Sequence, residues 1–229
     1  MENWGESDDL GVLARLVEPA GLAVADVGCG RGDLARALAR RGARVLALEP
    51  EPRQAADNRA APEPGVEFVE GRAQALPAAD GSLDLVVFGS SLHHVPGDVM
   101  DTALAEAHRA LKPGTGLLVV LEPEVDNTLA RLMQPFHDET AVRRTAQAAI
   151  GRVASRFAER HTFVYDQTYR YPDFEAFVAE VVGARYNSHR RETAATPEVA
   201  ALFAAGRNGL NFAFDHRMRA DVLRGPRAR

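Results

Sequence analysis

The chain has 229 residues, 46% of them hydrophobic and 26% charged, the profile of one folded domain with a substantial core rather than of a disordered segment. No apolar run approaches the roughly 18 residues of a membrane span, and the opening MENWGESDDL lacks a basic stretch followed by an apolar one, so a cytoplasmic protein away from the membrane is expected. The net charge of −5 is uneven: residues 1–125 carry 11 Lys+Arg against 20 Asp+Glu, and residues 126–229 carry 16 against 12. An acidic front half argues against nucleic-acid binding, which needs a basic footprint, while the basic back half suits either an anionic small substrate or a set of solvated helix faces.

Along the first 125 residues short apolar runs alternate with helical stretches. Strands are expected at 22–27, 44–48, 66–70, 83–89 and 117–122, and helices at 33–41, 52–59, 73–76 and 97–111, the last with Asp98 as N-cap and a stop at Lys112-Pro113-Gly114. This alternation implies right-handed crossovers and a parallel sheet covered on both faces. After Glu122 the rhythm changes. Residues 126–160 read as one or two helices, HTFVYDQTYRY as an aromatic strand, and YPDFEAFVAEVV and ATPEVAALFAAGRNG as helices. LNFAFDHRMRADVL reads as a final strand, with RGPRAR as a loose tail.

The junction VADVGCGRGDLARAL places Gly28, Gly30 and Gly32 between the first strand and its helix. Glycines there let a ligand approach the backbone, and the helix start presents free N–H groups. A dinucleotide fingerprint would have its third glycine at position 33, where this chain has Asp33, and Asp26 stands two residues before the first glycine. Two carboxylates at one lip disfavour a pyrophosphate and favour a ligand carrying an ammonium group. Glu49, ending the second strand, can accept both hydroxyls of a ribose. With Cys29 as the only cysteine, neither a disulfide framework nor a cysteine-based metal site is available, and no metal is expected.

Four stretches in order, VADVGCGRGDLARAL, RVLALEPEP, FVEGRAQALPAADGSLDLVVFGSSLHHV and AHRALKPGTGLLVVLEP, resemble the class I S-adenosylmethionine-dependent methyltransferases over about residues 20–125. The resemblance implies a Rossmann-like, doubly wound, mostly parallel seven-stranded sheet with a helical and aromatic elaboration after the fifth strand. It implies one methyltransferase domain over 1–229, divided into an N-terminal helical lid segment (1–20, containing Trp4), a cofactor core (21–125), an acceptor-pocket elaboration (126–209) and a final strand and tail (210–229). The cofactor would be S-adenosylmethionine. Gly28, Cys29, Gly30 and Gly32 would line its methionine portion with Asp26 and Asp33 near the ammonium, and Glu49 would take the ribose. Pro50, Ala73 and Gln74 would meet the adenine, and Phe88, Gly89 and Ser90 would face the cofactor. Many relatives have an acidic residue where this chain has Arg72, so Gln74 or a backbone carbonyl must receive the adenine amino group.

The expected reaction is methyl transfer to the oxygen or nitrogen of a small, anionic metabolite of secondary metabolism, by a monomer or homodimer. An alternative use of the same cofactor is aminocarboxypropyl transfer or cyclisation; another reading is a non-catalytic adenosine-binding module. His93 and His94 close the fourth strand, and His94 is the preferred base, because an imidazole titrates near neutrality; the pair also suits a structural turn. Glu122 ends the fifth strand, able to orient an acceptor or to hold backbone N–H groups. His137 and Arg144, seven apart on an expected helix, would share a face and grip an anion, with Arg143 beside them; salt bridges to Asp138 and Glu139 are the alternative. All four tyrosines, Tyr165, Tyr169, Tyr171 and Tyr186, fall within 22 positions. Of these Tyr171 is a candidate catalytic hydroxyl and Tyr186, with Asn187, a candidate substrate contact; His189 and Arg191 follow. The same tyrosines equally suit the core of the added segment.

Overall fold

A computed structural model of the chain describes residues 1–183 and 189–227. The strands are β1 (Glu2–Glu6), β2 (Ala23–Val27), β3 (Arg44–Glu49), β4 (Val66–Glu70), β5 (Leu85–Gly89), β6 (Leu117–Pro123), β7 (Phe157–Tyr171), β8 (Arg207–Asn208) and β9 (Asn211–Pro226). The helices are α1 (Asp9–Leu16), α2 (Asp33–Ala39), α3 (Pro52–Ala60), α4 (Met100–Ala110), α5 (Thr128–Met133), α6 (Thr140–Val153), α7 (Phe174–Gly183), α8 (Arg191–Ala194) and α9 (Pro197–Ala205). Single 3₁₀ turns occupy Ala73–Ala75, Leu92–His94 and Ala154–Arg156.

One mixed sheet runs in the order β1-β7-β9-β6-β5-β2-β3-β4, with β8 paired to β9. The strands β4, β3, β2, β5 and β6 are parallel, β9 is antiparallel to β6 and β7, and β1 is parallel to β7. The chain leaves β2 in one direction to build β3 and β4, then crosses to β5 and β6 on its other side. That reversal opens a crevice at the carboxyl ends of β2 and β5, the usual ligand position in such sheets.

Both sheet faces are covered, as the unbroken apolar strands require. Along β6, Leu118 and Val120 face α4 and α6 through Leu104, Ala107, Ala146 and Ile150, while Leu117, Val119 and Leu121 face the opposite layer of Val12, Leu13, Ala35 and Leu38 from α1 and α2. A third core, separate from the sheet layers, holds Leu129, Leu132, Tyr171, Phe177, Val178, Phe203 and Phe214.

Among the described residues the strands number nine rather than seven. One extra strand comes from the expected helical lid: Glu2–Glu6 forms β1, where Trp4 stacks on Phe163 at 3.6 Å and 12°. Only 9–16 of that segment is helical, N-capped by Asp8, whose carboxylate accepts the Gly11 N–H at 2.7 Å. The N-cap of α4 is Val99 rather than Asp98, because Pro96 to Val99 close a turn (Val99 N–H to Pro96 carbonyl, 3.0 Å). Nor is the chain loose from Leu223 to Pro226: β9 runs through these residues, with Leu223 paired to Leu118 on one side and Arg160 on the other.

Candidate functional site

The glycine loop leaves β2 and is tied to β3, the Leu48 carbonyl accepting both the Gly28 and Cys29 N–H groups at 2.8 and 2.9 Å. Gly28 has φ +75°, and a Cβ there would lie 2.6 Å from Ser91 Cβ, so loop and β5 exit touch at a point that admits no side chain. A Cβ on Gly30 (φ +53°) would meet nothing within 4 Å, which leaves that face of the loop open to a ligand. Asn58 of α3, which sequence reasoning missed, is buried and donates to the Gly30 carbonyl at 2.8 Å and to Cys29 Sγ at 3.7 Å. Burial raises the Cys29 thiol, with the Asp26 and Glu49 charges adding to it.

Asp26 is 2% exposed and its Oδ2 has no hydrogen-bond partner. Burial pushes its pKa up to about 7, with the neighbouring Asp9 adding to the rise. Asp9, from the first turn of α1, is the second acid at this lip and had no motif to mark it. Its carboxylate accepts from Tyr165 Oη at 2.6 Å and Gln167 Nε2 at 3.1 Å, and its other oxygen would lie 3.6 Å from a Cβ on Gly89. Asp33, by contrast, is turned outward: its carboxylate is exposed and paired with Arg31 at 3.3 Å, so the acidic lip is Asp26 with Asp9.

Glu49 lies at the end of β3, buried, its oxygens accepting the Gly30 N–H at 2.8 Å and the Glu51 N–H at 3.0 Å. Pro50 is exposed beside it, Ala73 and Gln74 are half-buried on their 3₁₀ turn, and Arg72 is exposed. Phe88 departs from expectation, since its side chain is 1% exposed within the β-sheet core, while Gly89 and Ser90 after it are half-buried. Ser90 adopts φ +50°, a strained conformation for a residue with a Cβ. Ser91 then anchors the turn by donating to the Val27 carbonyl at 2.5 Å.

That turn, Leu92–His94, carries the two histidines. Glu122, buried at the end of β6, accepts the N–H of Leu92 at 2.9 Å and of His93 at 3.3 Å, and its second oxygen receives His93 Nδ1–H. His93 Nε2 lies 3.4 Å from Glu139 Oε1, the same oxygen is 3.1 Å from His137 Nε2, and Arg143 holds the other Glu139 oxygen at 2.6 Å. Burial alone would lower His93, but its hydrogen bonds to Glu122 and Glu139 outweigh that and raise its pKa to about 9. Glu139 is lowered despite its own partial burial, by hydrogen bonds from His137 and His93. His94, exposed and with its ring 4.0 Å from that of His93, is lowered by desolvation and by the His93 charge.

A small cavity of about 50 Å³ adjoins this cluster, lined among others by Leu129, Met133, His137, Glu139, Arg143 and His216. The expected His137–Arg144 pair does not form, because α6 begins only at Thr140; Arg144 is exposed, and Arg143 is the inward arginine. His189 packs edge-on against His137 with ring centres 4.5 Å apart, its Nε2 buried without a partner. Tyr171 is not at the cleft. It is 4% exposed in the third core, and its hydroxyl hydrogen-bonds Glu180 at 2.9 Å. Arg191 is exposed and paired with Glu175 at 2.6 Å, and Tyr186 and Asn187 lie outside the described residues.

An unpartnered buried carboxylate oxygen suits an ammonium, the open side of Gly30 suits an amino-acid chain, and a strand-end glutamate suits ribose hydroxyls, so these residues fit S-adenosylmethionine. Residues 25–120 match the family model described as a methyltransferase domain. The chain is 30% identical over 179 residues to a ubiquinone/menaquinone biosynthesis C-methyltransferase of Rubrivivax gelatinosus, covering 78% of this chain and 68% of that protein. It is 35% identical over 126 residues to the enzyme of the same name from Rhodopseudomonas palustris, covering 53% of this chain but only 47% of that protein. Among solved structures, YcgJ of Bacillus subtilis shares the fold with a TM-score of 0.65 at 18% identity, over 94% of this chain and 97% of that one. The glycine loop, the acidic strand ends and these similarities agree: the chain belongs to the class I S-adenosylmethionine-dependent methyltransferases.

Proposed function

We propose that this methyltransferase acts on a hydroxyl-bearing small molecule held at the carboxyl ends of β5 and β6, beneath α5 and α6. The observation that carries this reading is the Glu122–His93–Glu139 chain, which sits on the turn locked to the glycine loop through Ser91. Bound S-adenosylmethionine supplies an electrophilic sulfonium methyl. On the cofactor side, Gly28, Cys29 and Gly30 flank its amino-acid portion, and Asp26 and Asp9 face its ammonium. Glu49 takes the ribose hydroxyls, Pro50, Ala73 and Gln74 border the adenine, and Gly89 and Ser90 set the distance to the acceptor.

A hydroxyl acceptor must lose a proton as it gains the methyl, so positioning and charge stabilisation of the oxygen are the tasks left to the protein. His93, His94 and Glu139 are the groups placed to do this. Arg143 Nε, buried without a hydrogen bond, is a donor for an anionic group on the acceptor, which supports an acidic substrate. Methylation at carbon is the second reading, favoured by the Rubrivivax relative's being a C-methyltransferase. The oxyanion of an aromatic or enolic hydroxyl is nucleophilic at a conjugated carbon as well as at oxygen, so one cluster serves either outcome.

The test is incubation with methyl-labelled S-adenosylmethionine and a panel of phenolic and enolic acids, with the methyl position read by NMR. S-adenosylhomocysteine as by-product is expected; methylthioadenosine would mean that another group had been transferred. Absence of calorimetric heat with both S-adenosylmethionine and S-adenosylhomocysteine would sink the reading at its first step.

A further inference from the structure

We propose that His93, His94 and Glu139 form a binding site for a divalent transition-metal ion of the Zn²⁺ class, in the acceptor half of the cleft. One ligand atom from each of the three lies within 4.8 Å of the others. Nitrogen and carboxylate ligands about 2.0–2.2 Å from one tetrahedral ion stand roughly 3.4 Å from each other. The His93 Nε2 to Glu139 Oε1 separation is 3.4 Å, and His137 Nε2, 3.1 Å from that same oxygen, stands next to the group.

The outer groups fit as well. A carboxylate can only accept, so His93 Nδ1 carries one proton toward Glu122, and a metal ion would replace the second, on the Nε2 that faces Glu139, releasing it to solvent. Glu122 is itself fixed by two backbone N–H groups, and the second Glu139 oxygen by Arg143. A histidine ligand backed by a carboxylate, and a carboxylate ligand backed by an arginine, are the supports that orient metal ligands. Two imidazoles with one carboxylate select Zn²⁺, Co²⁺ or Ni²⁺ over the all-oxygen preference of Ca²⁺ and Mg²⁺. Three protein ligands leave a coordination position open. The consequence, resting on the functional reading above, is that the acceptor's hydroxyl oxygen would occupy that position and ionise more readily.

Chelator-stripped protein, without cofactor or acceptor, is titrated with Co²⁺ alone and then Zn²⁺, followed by calorimetry and visible absorption. One Co²⁺ per chain, visible bands and displacement by Zn²⁺ are expected. His94→Ala and Glu139→Gln should each weaken uptake at least about tenfold and Glu122→Gln about tenfold to a hundredfold, while His161→Ala, on an exposed ring paired with Glu159, leaves it unchanged. Circular dichroism and S-adenosylmethionine calorimetry on each variant check that the fold persists; His94, being exposed, is the variant least able to disturb it. No saturable uptake of either ion, or uptake equal in wild type and in both ligand variants, overturns the site and leaves an ion-pair network. Uptake through these residues without methyl transfer to any hydroxylated acceptor would instead overturn the functional reading and leave the site standing.

Discussion

Asp26→Asn separates what the cofactor needs from what the fold tolerates. The Asp26 carboxyl is held near pH 7 rather than its ordinary 3.8, chiefly by burial and next by Asp9. A carboxyl raised in the folded state opposes folding once it must ionise. The penalty starts above the unfolded value of about 4, grows as pH rises, and levels off above about 7 at roughly 4 kcal/mol. Linkage gives about 2 kcal/mol at about pH 5.5 and about 4 kcal/mol at about pH 8. The asparagine does not titrate and keeps an acceptor for the Ala35 N–H, the backbone group that hydrogen-bonds Asp26. Urea unfolding of the cofactor-free proteins at those two pH values should therefore show the variant gaining about 2 kcal/mol on wild type as pH rises. Over the same interval wild type should bind S-adenosylmethionine more tightly at the higher pH, by about thirtyfold, because only the ionised carboxyl pairs with the ammonium. The variant should bind weakly and with little dependence on pH. A stability difference that stays constant to within about 0.5 kcal/mol between the two pH values would refute the buried, unpaired state of this carboxyl.

Gly28→Ala forces a Cβ to within 2.6 Å of Ser91 at φ +75°, and should weaken cofactor binding by at least about tenfold by calorimetry. Trp4→Ala removes the stack on Phe163 and the Arg15 guanidinium 5.5 Å from the ring, and should cost about 2 kcal/mol in urea unfolding. Tyr171→Phe loses the hydroxyl contact with Glu180 and about 1 kcal/mol of stability, with kcat unchanged; a large fall in kcat would return Tyr171 to the cleft.

The parallel half of the sheet was readable because each of its strands is a short apolar run between helix signals, and a strand buried on both faces has to be. Asp26, the glycines and Glu49 were readable for a related reason, since they occupy fixed offsets from strand ends. Asp9, Asn58 and Glu139 were not. Each reaches the site from an element remote in sequence, and no local pattern distinguishes a carboxylate aimed inward from one in water. Arg143 and Arg144 show how sensitive such assignments are to helix phase. Starting α6 at Thr140 instead of before His137 turns one arginine in and the other out. The last strand was shortened for want of its neighbours: Leu223 and Arg224 lie between β6 and β7, and Pro226 still pairs with Phe157 of β7.

The sheet ends in β1 on one side and β4 on the other, and both outer strands bear exposed glutamates: Glu2 and Glu6 on the first, Glu67 and Glu70 on the second. An unpaired strand edge invites another chain to continue the ladder, and like charges facing one another resist it. Two molecules meeting edge to edge would set acid against acid in every combination of these borders. Growth of the sheet from one molecule into the next is thereby discouraged at both ends, and copies that associate would do so more readily through their helical faces.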